Sequence, residues 1–288
     1  MVIAVQQAQA NLPDILAALR PGAHPDVEFI FCHAAAAPEQ GRNAGDRGNL
    51  VERYGGPGAL VPQLWAEGVR AARGTWVATT TAHCIPASDW VARLKAHLDE
   101  PVAAVGGVLA NDAAAGPIAW AIYLLRYTAF AAPQAGGTVT ELAADNALYR
   151  RAHIVEQQDL LADGFWEPAF HARWRAAGHE LRLDPALVVT HRNRYRAGEF
   201  FRQRLAHGRQ FGFARAAAWP RGRRLAMLLG SPLLPLVFLR KIVRAARRHP
   251  VCSRHVWPAA GWLLVFAGAW GIGEATGYWA ALKNGGSP

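Results

Sequence analysis

Short apolar runs alternate with amphipathic stretches along the first 110 residues. Val2–Val5 and residues 27–31 are rich in β-branched and aromatic side chains, as buried strands are. The predicted helices between such runs begin at capping or proline-containing turns and end near glycine. The pattern predicts, in order, strand 2–5, helix 11–20 with Asn11 as its N-cap, strand 27–31, a loop over 34–49, helix 61–73, strand 75–80, helix 88–98 and strand 102–108. Strands and helices that alternate at this spacing predict an α/β fold with a mainly parallel sheet and helices on both faces.

The alternation loosens beyond residue 110. A helix over 118–130, expected to lie on the sheet, is followed by a helix over 170–177 and a short strand at 187–189. The apolar stretch 225–239 is broken by two prolines and is short for a membrane span, which needs about 20 residues. The apolar stretch 257–282 is longer. We therefore expect an α/β domain over 1–215 and a basic, apolar, membrane-associated helical tail over 216–288.

Charge is divided unevenly along the chain. Residues 192–256 carry 16 Arg and Lys against one acid, Glu199, whereas the remainder holds 15 basic and 20 acidic residues. Such a basic segment binds nucleic acid, anionic lipid or phosphate groups, or is simply a solvated face. Because it brackets both apolar stretches, and because no nucleic-acid-binding motif is present, we expect anionic membrane lipids and no nucleic acid as partners. Four tryptophans of the tail form an interfacial belt or pack within the tail; they are Trp257, Trp262, Trp270 and Trp279.

The cysteines and the first residues of the chain indicate the cellular compartment. Cys32, Cys84 and Cys252 are scattered and include no CxxC pair, which argues against a disulfide framework or a zinc knuckle and fits a reducing compartment. The start of the chain lacks the basic region and long apolar core of a secretory signal. The α/β domain is therefore expected at the cytoplasmic face of the membrane, anchored by the tail.

Candidate ligand-binding residues follow three predicted strands. Ligands on mainly parallel sheets bind at the carboxyl ends of the strands. This rule places Gln6, His33 and the stretch Thr81-Ala82-His83 near one crevice.

Three segments together resemble the family 2 inverting glycosyltransferases, which have the A-type fold. The first runs from Gly68 to Ala78 and is similar to the helix-to-strand passage before the metal-binding DxD motif of that family, with Pro86 and Asp89-Trp90 following at its spacing. The second, Asp145 to Arg151, is similar to the acceptor-side strand and its arginine pair. The third joins Glu167, the stretch 173–179 and His191-Arg192, and is similar to the helix that bears the catalytic base. The resemblance covers about residues 1–215.

The resemblance implies transfer of a sugar, with inversion, from a nucleotide-diphospho-sugar to an acceptor that is lipid-linked or membrane-proximal. Such a reaction needs a carboxylate that takes the proton of the acceptor hydroxyl and positive charge for the leaving diphosphate. By position, Glu167 is the base, in place of the Asp usual in the family. The remaining implied contacts are Gln6, His33, Thr81, His83 and Arg192 for the donor, and Asp145 and Asn146 for the acceptor.

The sequence departs from the family at the metal site. Cys32-His33-Ala34 stands where the family has an acid, and Thr81-Ala82-His83 stands where it has DxD. The family uses a divalent cation, Mg²⁺ or Mn²⁺, but these ions prefer carboxylate oxygen. His83 and His191 either hold a softer metal or make plain polar contacts. Without a metal, arginines after residue 191 are expected to neutralise the diphosphate; they are Arg192, Arg202 and Arg204.

Two alternatives remain open at the level of sequence. The missing acids leave open an alternative to sugar transfer, a chain that has lost catalysis and serves as a membrane-bound binding or scaffolding protein with the glycosyltransferase fold. The pair Arg150-Arg151 either binds phosphate or is solvated at the start of a helix.

Overall fold

The computed structural model describes residues 1–6, 9–37, 48–193, 195–217 and 219–283. Most of the loop predicted over 34–49 therefore lies outside the described residues. The chain forms two compact units. The sheet unit comprises Met1–Asp112 and Phe130–Arg192, and the helical unit comprises Ala113–Ala129 and Asn193–Pro288. The sequence instead predicts a division at residue 215.

A mixed sheet forms the centre of the sheet unit. Its strands within the described residues are β1 (Val2–Val5), β2 (Phe29–His33), β3 (Leu50–Tyr54), β4 (Trp76–Thr81), β5 (Cys84–Pro86), β6 (Ala104–Asn111), β7 (Gly137–Val139), β8 (Ala147–Arg150) and β9 (Leu181–His191). Their order is β3-β2-β1-β4-β8-β6-β9-β5, with β7 also paired to β9. The strands β1 to β4 run parallel, as do β6 and β9, whereas β8, β5 and β7 run antiparallel to their neighbours. The predicted mainly parallel α/β fold is confirmed.

Helices cover both faces of this sheet. They are α1 (Leu12–Leu19), α2 (Val61–Ala71), α3 (Trp90–Lys95), α5 (Arg151–Val155), α6 (Gln158–Leu161) and α7 (Glu167–Ala176); α4 (Pro117–Tyr127) lies in the helical unit. On one face, alternate strand residues such as Val2 and Tyr149 join α2 and α7 in an extended core. Residues of the opposite parity, such as Ile3 and Phe29, are equally buried. This two-sided burial explains why the strands read as continuous apolar runs.

Several local features differ from the sequence prediction. Strand β3 was not predicted, and β9 extends over eleven residues rather than three. Asn11 precedes α1 but its side chain does not cap the helix. Its amide donates instead to the carbonyl oxygens of Ala82, at 2.9 Å, and Arg192, at 3.1 Å. The side chain thus ties together the ends of distant segments, a role that capping statistics do not reveal.

The helical unit is built around one long helix. Its other helices besides α4 are α8 (Ala197–Ala217), α9 (Arg221–Gly230) and α10 (Leu234–Ala246), and all pack against α11 (Pro250–Lys283). The sequence predicts the helix over 118–130 correctly but expects it to lie on the sheet. In the structure α4 packs against α11 within the helical unit.

Four glycines allow α8 and α11 to approach closely. Gly208 and Gly212 face Gly273 and Gly277, and the matching order along both helices shows that they run parallel. A Cβ atom added at Gly208 would lie 2.4 Å from the carbonyl oxygen of Trp270, and one at Gly273 would lie 2.4 Å from that of Leu205. Side chains of any size are therefore excluded from this contact, as at small-residue helix contacts in membrane proteins.

Two segments of the described residues are long and apolar enough to cross a membrane, Arg221–Ala246 and Pro250–Lys283. The first is mostly exposed in the helical unit, whereas the second is nearly half buried by its neighbours. Large apolar side chains are exposed along α9, α10 and the turn between them; they are Leu225, Leu229, Leu233, Leu236 and Val237.

Candidate functional site

Three parallel strands end together at the edge where the crevice is predicted. In register, Val5 pairs with His33, and Ala4 pairs with both Cys32 and Thr81. Gln6 follows β1 directly and is buried. Its side-chain amide donates to the carbonyl oxygen of Ala59 at 2.8 Å. The register thus brings Gln6, His33 and Thr81 to one edge of the sheet, as the strand order requires.

His33 is half-buried at the end of β2. Its ring stacks on Tyr54 at the end of β3, with ring centroids 5.2 Å apart. Burial lowers the pKa of His33, and the nearby carboxylate of Glu52 opposes that shift. A neutral imidazole stacked on a phenol offers a flat, uncharged wall, which suits contact with a base or a ring better than contact with a phosphate.

Thr81 and Asp145 meet at the end of β4. Because β8 runs antiparallel to β4, the residues just before β8 lie beside the residues that end β4. The Thr81 hydroxyl donates to Oδ1 of Asp145 at 3.1 Å, and both side chains are buried. The sequence interpretation assigns Asp145 to the acceptor side. The structure places its carboxylate next to the first position of the missing DxD motif, a proximity that follows from the antiparallel β8 and not from any linear motif.

The buried side chain of Asn146 is held by hydrogen bonds within the sheet unit. Its side-chain nitrogen donates to the carbonyl oxygens of Val108 and Leu187, each at 3.0 Å, and its oxygen accepts from the indole of Trp90 at 2.7 Å. Both amide hydrogens are thereby used within the protein. A fully satisfied buried amide joins β6, β9 and α3 beneath the crevice and holds its floor in place.

The structure brings together His83 and His191, the two histidines named from the sequence as possible metal ligands. The rings of His83 and His191 are 6.3 Å apart between centroids, and both are fully buried. One ring nitrogen of His83 lies 3.0 Å from the backbone oxygen of Gln6. Among the residues that the structure describes, no group of three or more His, Cys, Asp or Glu side chains is arranged to hold a metal ion. Asp145 is the carboxylate beside Thr81, and its Oδ1 accepts the Thr81 hydroxyl, so this edge lacks the pair of acids that a DxD motif supplies.

Arg192 follows β9 and lies between two acids. Its guanidinium binds Asp112, with Nε 3.0 Å from the carboxylate, and also binds Asp14. Its backbone N–H donates to the carbonyl oxygen of His83 at 2.7 Å. A diphosphate at this arginine would have to compete with both carboxylates, which weakens the attraction that the sequence analysis expects from it. Arg202 and Arg204, the other two arginines expected to neutralise the diphosphate, belong to the helical unit.

Glu167 is the first residue of α7. This helix starts near Pro62, at the beginning of α2, because the backbone N–H of Phe165 donates to the Pro62 carbonyl at 2.8 Å. It ends before β9 begins, so it runs from the carboxyl edge of the parallel strands to their amino edge. Glu167 is half-buried at the carboxyl edge. Its side chain is therefore partly open to solvent at the edge of the sheet where β1, β2 and β4 end.

The face of α7 that carries Glu167 continues into an aromatic core. His171, one turn further, is fully buried and stacks on Tyr149, with ring centroids 5.8 Å apart. Neither ring nitrogen of His171 nor the Tyr149 hydroxyl has a hydrogen-bond partner among the described residues. Burial lowers the pKa of His171 to about 3. Burial, and then the charges of Glu167 and Asp145, raise the pKa of Tyr149 well above its ordinary value. The two carboxylates therefore act on one buried hydroxyl.

Arg150 and Arg151 lie away from the crevice. Arg150 pairs with Trp76 at the start of β4, and its guanidinium donates to the carbonyl oxygens of Val102 and Glu100. Arg151 donates to the carbonyl oxygen of Val69 at 3.1 Å. Both arginines therefore bind backbone carbonyls at the amino edge of β4, opposite Thr81.

Comparison with known proteins adds the following. Residues 64–156 match the family described as glycosyl transferase family 2. No curated protein matches the chain. Two solved structures are similar: the mannosyltransferase PcManGT from Pyrobaculum calidifontis in complex with GDP-Man and Mn²⁺, and TarS 1–349 from S. aureus in complex with UDP. The first is 16% identical with a TM-score of 0.45, and the match covers 100% of this chain and 75% of that one. The second is 10% identical with a TM-score of 0.46, and the match covers 92% and 89%.

The matched segment runs from within α2 to the end of α5. It contains two of the three motifs on which the resemblance was based, 68–78 and 145–151, whereas Glu167 lies beyond it. The match over residues 64–156 confirms the predicted resemblance to glycosyl transferase family 2 and agrees with the predicted enzyme class of glycosyltransferase.

Proposed function

We propose that this chain transfers a sugar from a nucleotide-diphospho-sugar to a hydroxyl acceptor at the membrane, with inversion. The acceptor oxygen attacks the anomeric carbon, the bond from that carbon to the diphosphate oxygen breaks, and Glu167 takes the acceptor proton. One observation carries the proposal: α7 presents Glu167, half-buried, at the carboxyl edge where β1, β2 and β4 end. The family segment supports sugar transfer in general.

The donor would lie along the ends of these strands. His33 and Tyr54 supply a stacked, neutral wall for a ring, and the Thr81–Asp145 pair supplies the polar contact next to it. We infer that the leaving diphosphate is stabilised without a divalent cation, because Thr81 and His83 stand in place of the acids of the DxD motif, and hydroxyl and imidazole groups are poorer ligands for Mg²⁺ or Mn²⁺ than carboxylates. Of the arginines predicted to neutralise the diphosphate, Arg192 belongs to the sheet unit, where the diphosphate would compete with Asp14 and Asp112 for it.

The helical unit would hold the chain at the cytoplasmic face of the membrane. The exposed leucines of α9 and α10 lie between basic residues that precede and follow them, and such a helix lies in the plane of an anionic interface. An acceptor that is lipid-linked or membrane-proximal follows from this position. The specific sugar, nucleotide and acceptor are outcomes of the experiment below.

A second function has an observation in its favour. Gln6, His83 and His191 are buried and contact other protein groups, so they already fill part of the crevice. A chain that binds at the membrane without turning over a donor would tolerate such closure. Donor turnover by the purified full-length chain separates the two functions.

The decisive experiment compares Glu167→Gln with a matched variant. Purified protein is incubated with a panel of labelled nucleotide-sugars and a membrane lipid extract, and labelled product is counted. Glu167→Gln should reduce transfer roughly 10²–10⁴-fold while donor binding persists, because the amide keeps the shape but cannot accept the proton. Glu156→Gln, which changes an exposed acid of the same unit, should leave transfer unchanged. Transfer at the parent rate by Glu167→Gln excludes this base, and donor binding without any turnover favours the second function.

A further inference from the structure

Arg204 is a buried cation in the helical unit. It lies on α8 and is only 8% exposed. Its guanidinium sits over the rings of Phe200 and Trp270, with Cζ 5.0 Å from each centroid. One terminal nitrogen lies 2.9 Å from Nδ1 of His207. Burial, and then the charge of Arg204, lower the pKa of His207 well below its ordinary value, so the imidazole is neutral and accepts this hydrogen bond.

The charge of Arg204 persists in these surroundings. Burial lowers the pKa of its guanidinium to about 9, and the positive charge of Arg126 acts in the same direction. The group is therefore still protonated at neutral pH. A buried charge is destabilising unless a counter-charge and hydrogen bonds offset it. The faces of Phe200 and Trp270 offset part of that cost.

No carboxylate meets Arg204 within the described part of the chain. Besides neutral His207, the groups that act on its charge there are Arg126 and the phenols of Tyr127 and Tyr195. The buried acid of α11, Glu274, instead accepts hydrogen bonds from Trp270 and Tyr278. The Nε of Arg204 has no hydrogen-bond partner in the described residues. A buried cation with an unused donor at Nε and a second cation nearby fits an anionic ligand.

A small cavity lies against this cation. Its volume is about 130 Å³, and its walls are Leu125, Arg204, Phe238 and Trp270. A water molecule occupies roughly 30 Å³ of liquid, and pockets for larger ligands run to about 300 Å³ and more. The cavity therefore has room for a phosphate group and not for a nucleotide-sugar. Phe238 belongs to α10 and is adjacent to Val237 of the exposed apolar row.

We propose that this cavity binds the phosphate group of an anionic ligand, with Arg204 as its cation and the apolar walls in contact with whatever chain the phosphate carries. Arginine suits this role because its planar donors match two phosphate oxygens at once. The source of the phosphate is either a lipid headgroup or a free phosphate ion. The site is a binding site of the helical unit and does not depend on the proposed sugar transfer.

The test measures binding by the purified full-length chain in neutral detergent. Isothermal titration compares dihexanoyl phosphatidic acid, inorganic phosphate, dihexanoyl phosphatidylcholine and UDP. We expect phosphatidic acid to bind, and Arg204→Gln to weaken that binding at least 10-fold, as loss of a charged hydrogen bond does. Arg209→Gln, an exposed change on the same helix, should alter it less than 2-fold. Equal binding of inorganic phosphate and phosphatidic acid identifies free phosphate as the source, whereas tighter phosphatidic acid identifies a lipid.

A second variant keeps the test decisive if Arg204→Gln does not fold. Leu125→Phe fills the cavity and leaves the cation in place, so it should also weaken phosphatidic acid binding without affecting UDP. Equal effects of Arg204→Gln and Arg209→Gln would overturn the proposal. So would loss of UDP binding in Arg204→Gln with phosphatidic acid unaffected, which would assign Arg204 to the donor diphosphate, as the sequence analysis expects. Because Glu167→Gln should bind phosphatidic acid like the parent, failure of sugar transfer and failure of this site are separate results.

Discussion

Adding one methyl group at Gly273 tests the close contact between α8 and α11. The new Cβ would lie 2.4 Å from the carbonyl oxygen of Leu205 and 2.9 Å from the backbone nitrogen of Arg209. Both atoms belong to the backbone of α8, so no side-chain rotation relieves the clash. The helices have to separate by roughly 1 Å to restore an ordinary carbon–oxygen contact of about 3.3–3.6 Å.

Gly268 supplies the matched control on the same helix. No heavy atom lies within 4 Å of a Cβ built at Gly268. Alanine in a helix interior is favoured over glycine by about 1 kcal/mol, and this gain applies to both variants. Overpacking of a well-packed contact costs about 1–3 kcal/mol. Gly268→Ala should therefore stabilise by up to about 1 kcal/mol, and Gly273→Ala should be less stable than Gly268→Ala by about 1–3 kcal/mol.

Thermal unfolding of the purified full-length chain, followed by intrinsic tryptophan fluorescence, measures the difference. For proteins of 150–250 residues, 1 kcal/mol shifts Tm by about 2–4 °C, so Gly273→Ala should unfold several degrees below Gly268→Ala. Gly212→Ala, which meets the carbonyl oxygen of Glu274 at 2.6 Å, should behave like Gly273→Ala. If the variants at Gly273 and Gly268 melt together, the two helices do not pack through these glycines and the described contact is wrong.

Three further outcomes concern acid stability, metal dependence and membrane placement. Burial lowers the pKa of His171 in the folded protein from 6.5 to about 3. Between these two pH values the unfolded state binds more protons than the folded state. The free energy of unfolding should therefore fall with falling pH, by up to about 1.4 kcal/mol per pH unit. Urea unfolding at pH 7 and pH 5 checks this, and His171→Leu should lose part of the pH dependence. Transfer activity should survive EDTA; complete loss in EDTA with recovery in Mn²⁺ would show that a metal does bind. A cysteine at the exposed Arg248 should resist an impermeant thiol reagent in intact cells if residues 240–256 are cytoplasmic, and efficient labelling would contradict that placement; native Cys252 is too deeply buried to serve as the probe.

The sequence predicts the first strands well because their burial leaves a direct signature. Val2–Val5 is apolar throughout, since both faces of β1 are covered. The same reasoning fails for β9, where Asp184 and Pro185 interrupt the apolar pattern although the strand continues through them. It also does not identify α11 as a partner of α4, because helical periodicity shows that one face of a helix is buried and not which element buries it.

In the candidate site, too, some contacts follow from the sequence and others only from the three-dimensional fold. Gln6, His33 and Thr81 meet because parallel strands share an edge, a rule that applies to sequence directly. The contact of Thr81 with Asp145 depends on β8 entering the sheet antiparallel, which no local pattern announces. The two aspartates that hold Arg192 come from α1 and from the end of β6, and only the three-dimensional fold brings them together.

The contact between Thr81 and Asp145 also limits the effect of restoring the first acid of the DxD motif at residue 81. In Thr81→Asp, two carboxylates would lie about as close as the present pair, whose oxygens are 3.1 Å apart, in a buried place. Like charges at such a distance cannot both stay ionised, so the pair would either share a proton or capture a cation. A hydroxyl at residue 81 avoids that conflict by donating a hydrogen to the single acid. Threonine and aspartate are therefore a matched pair, and an acid at residue 81 without a bound cation would destabilise the edge of the sheet.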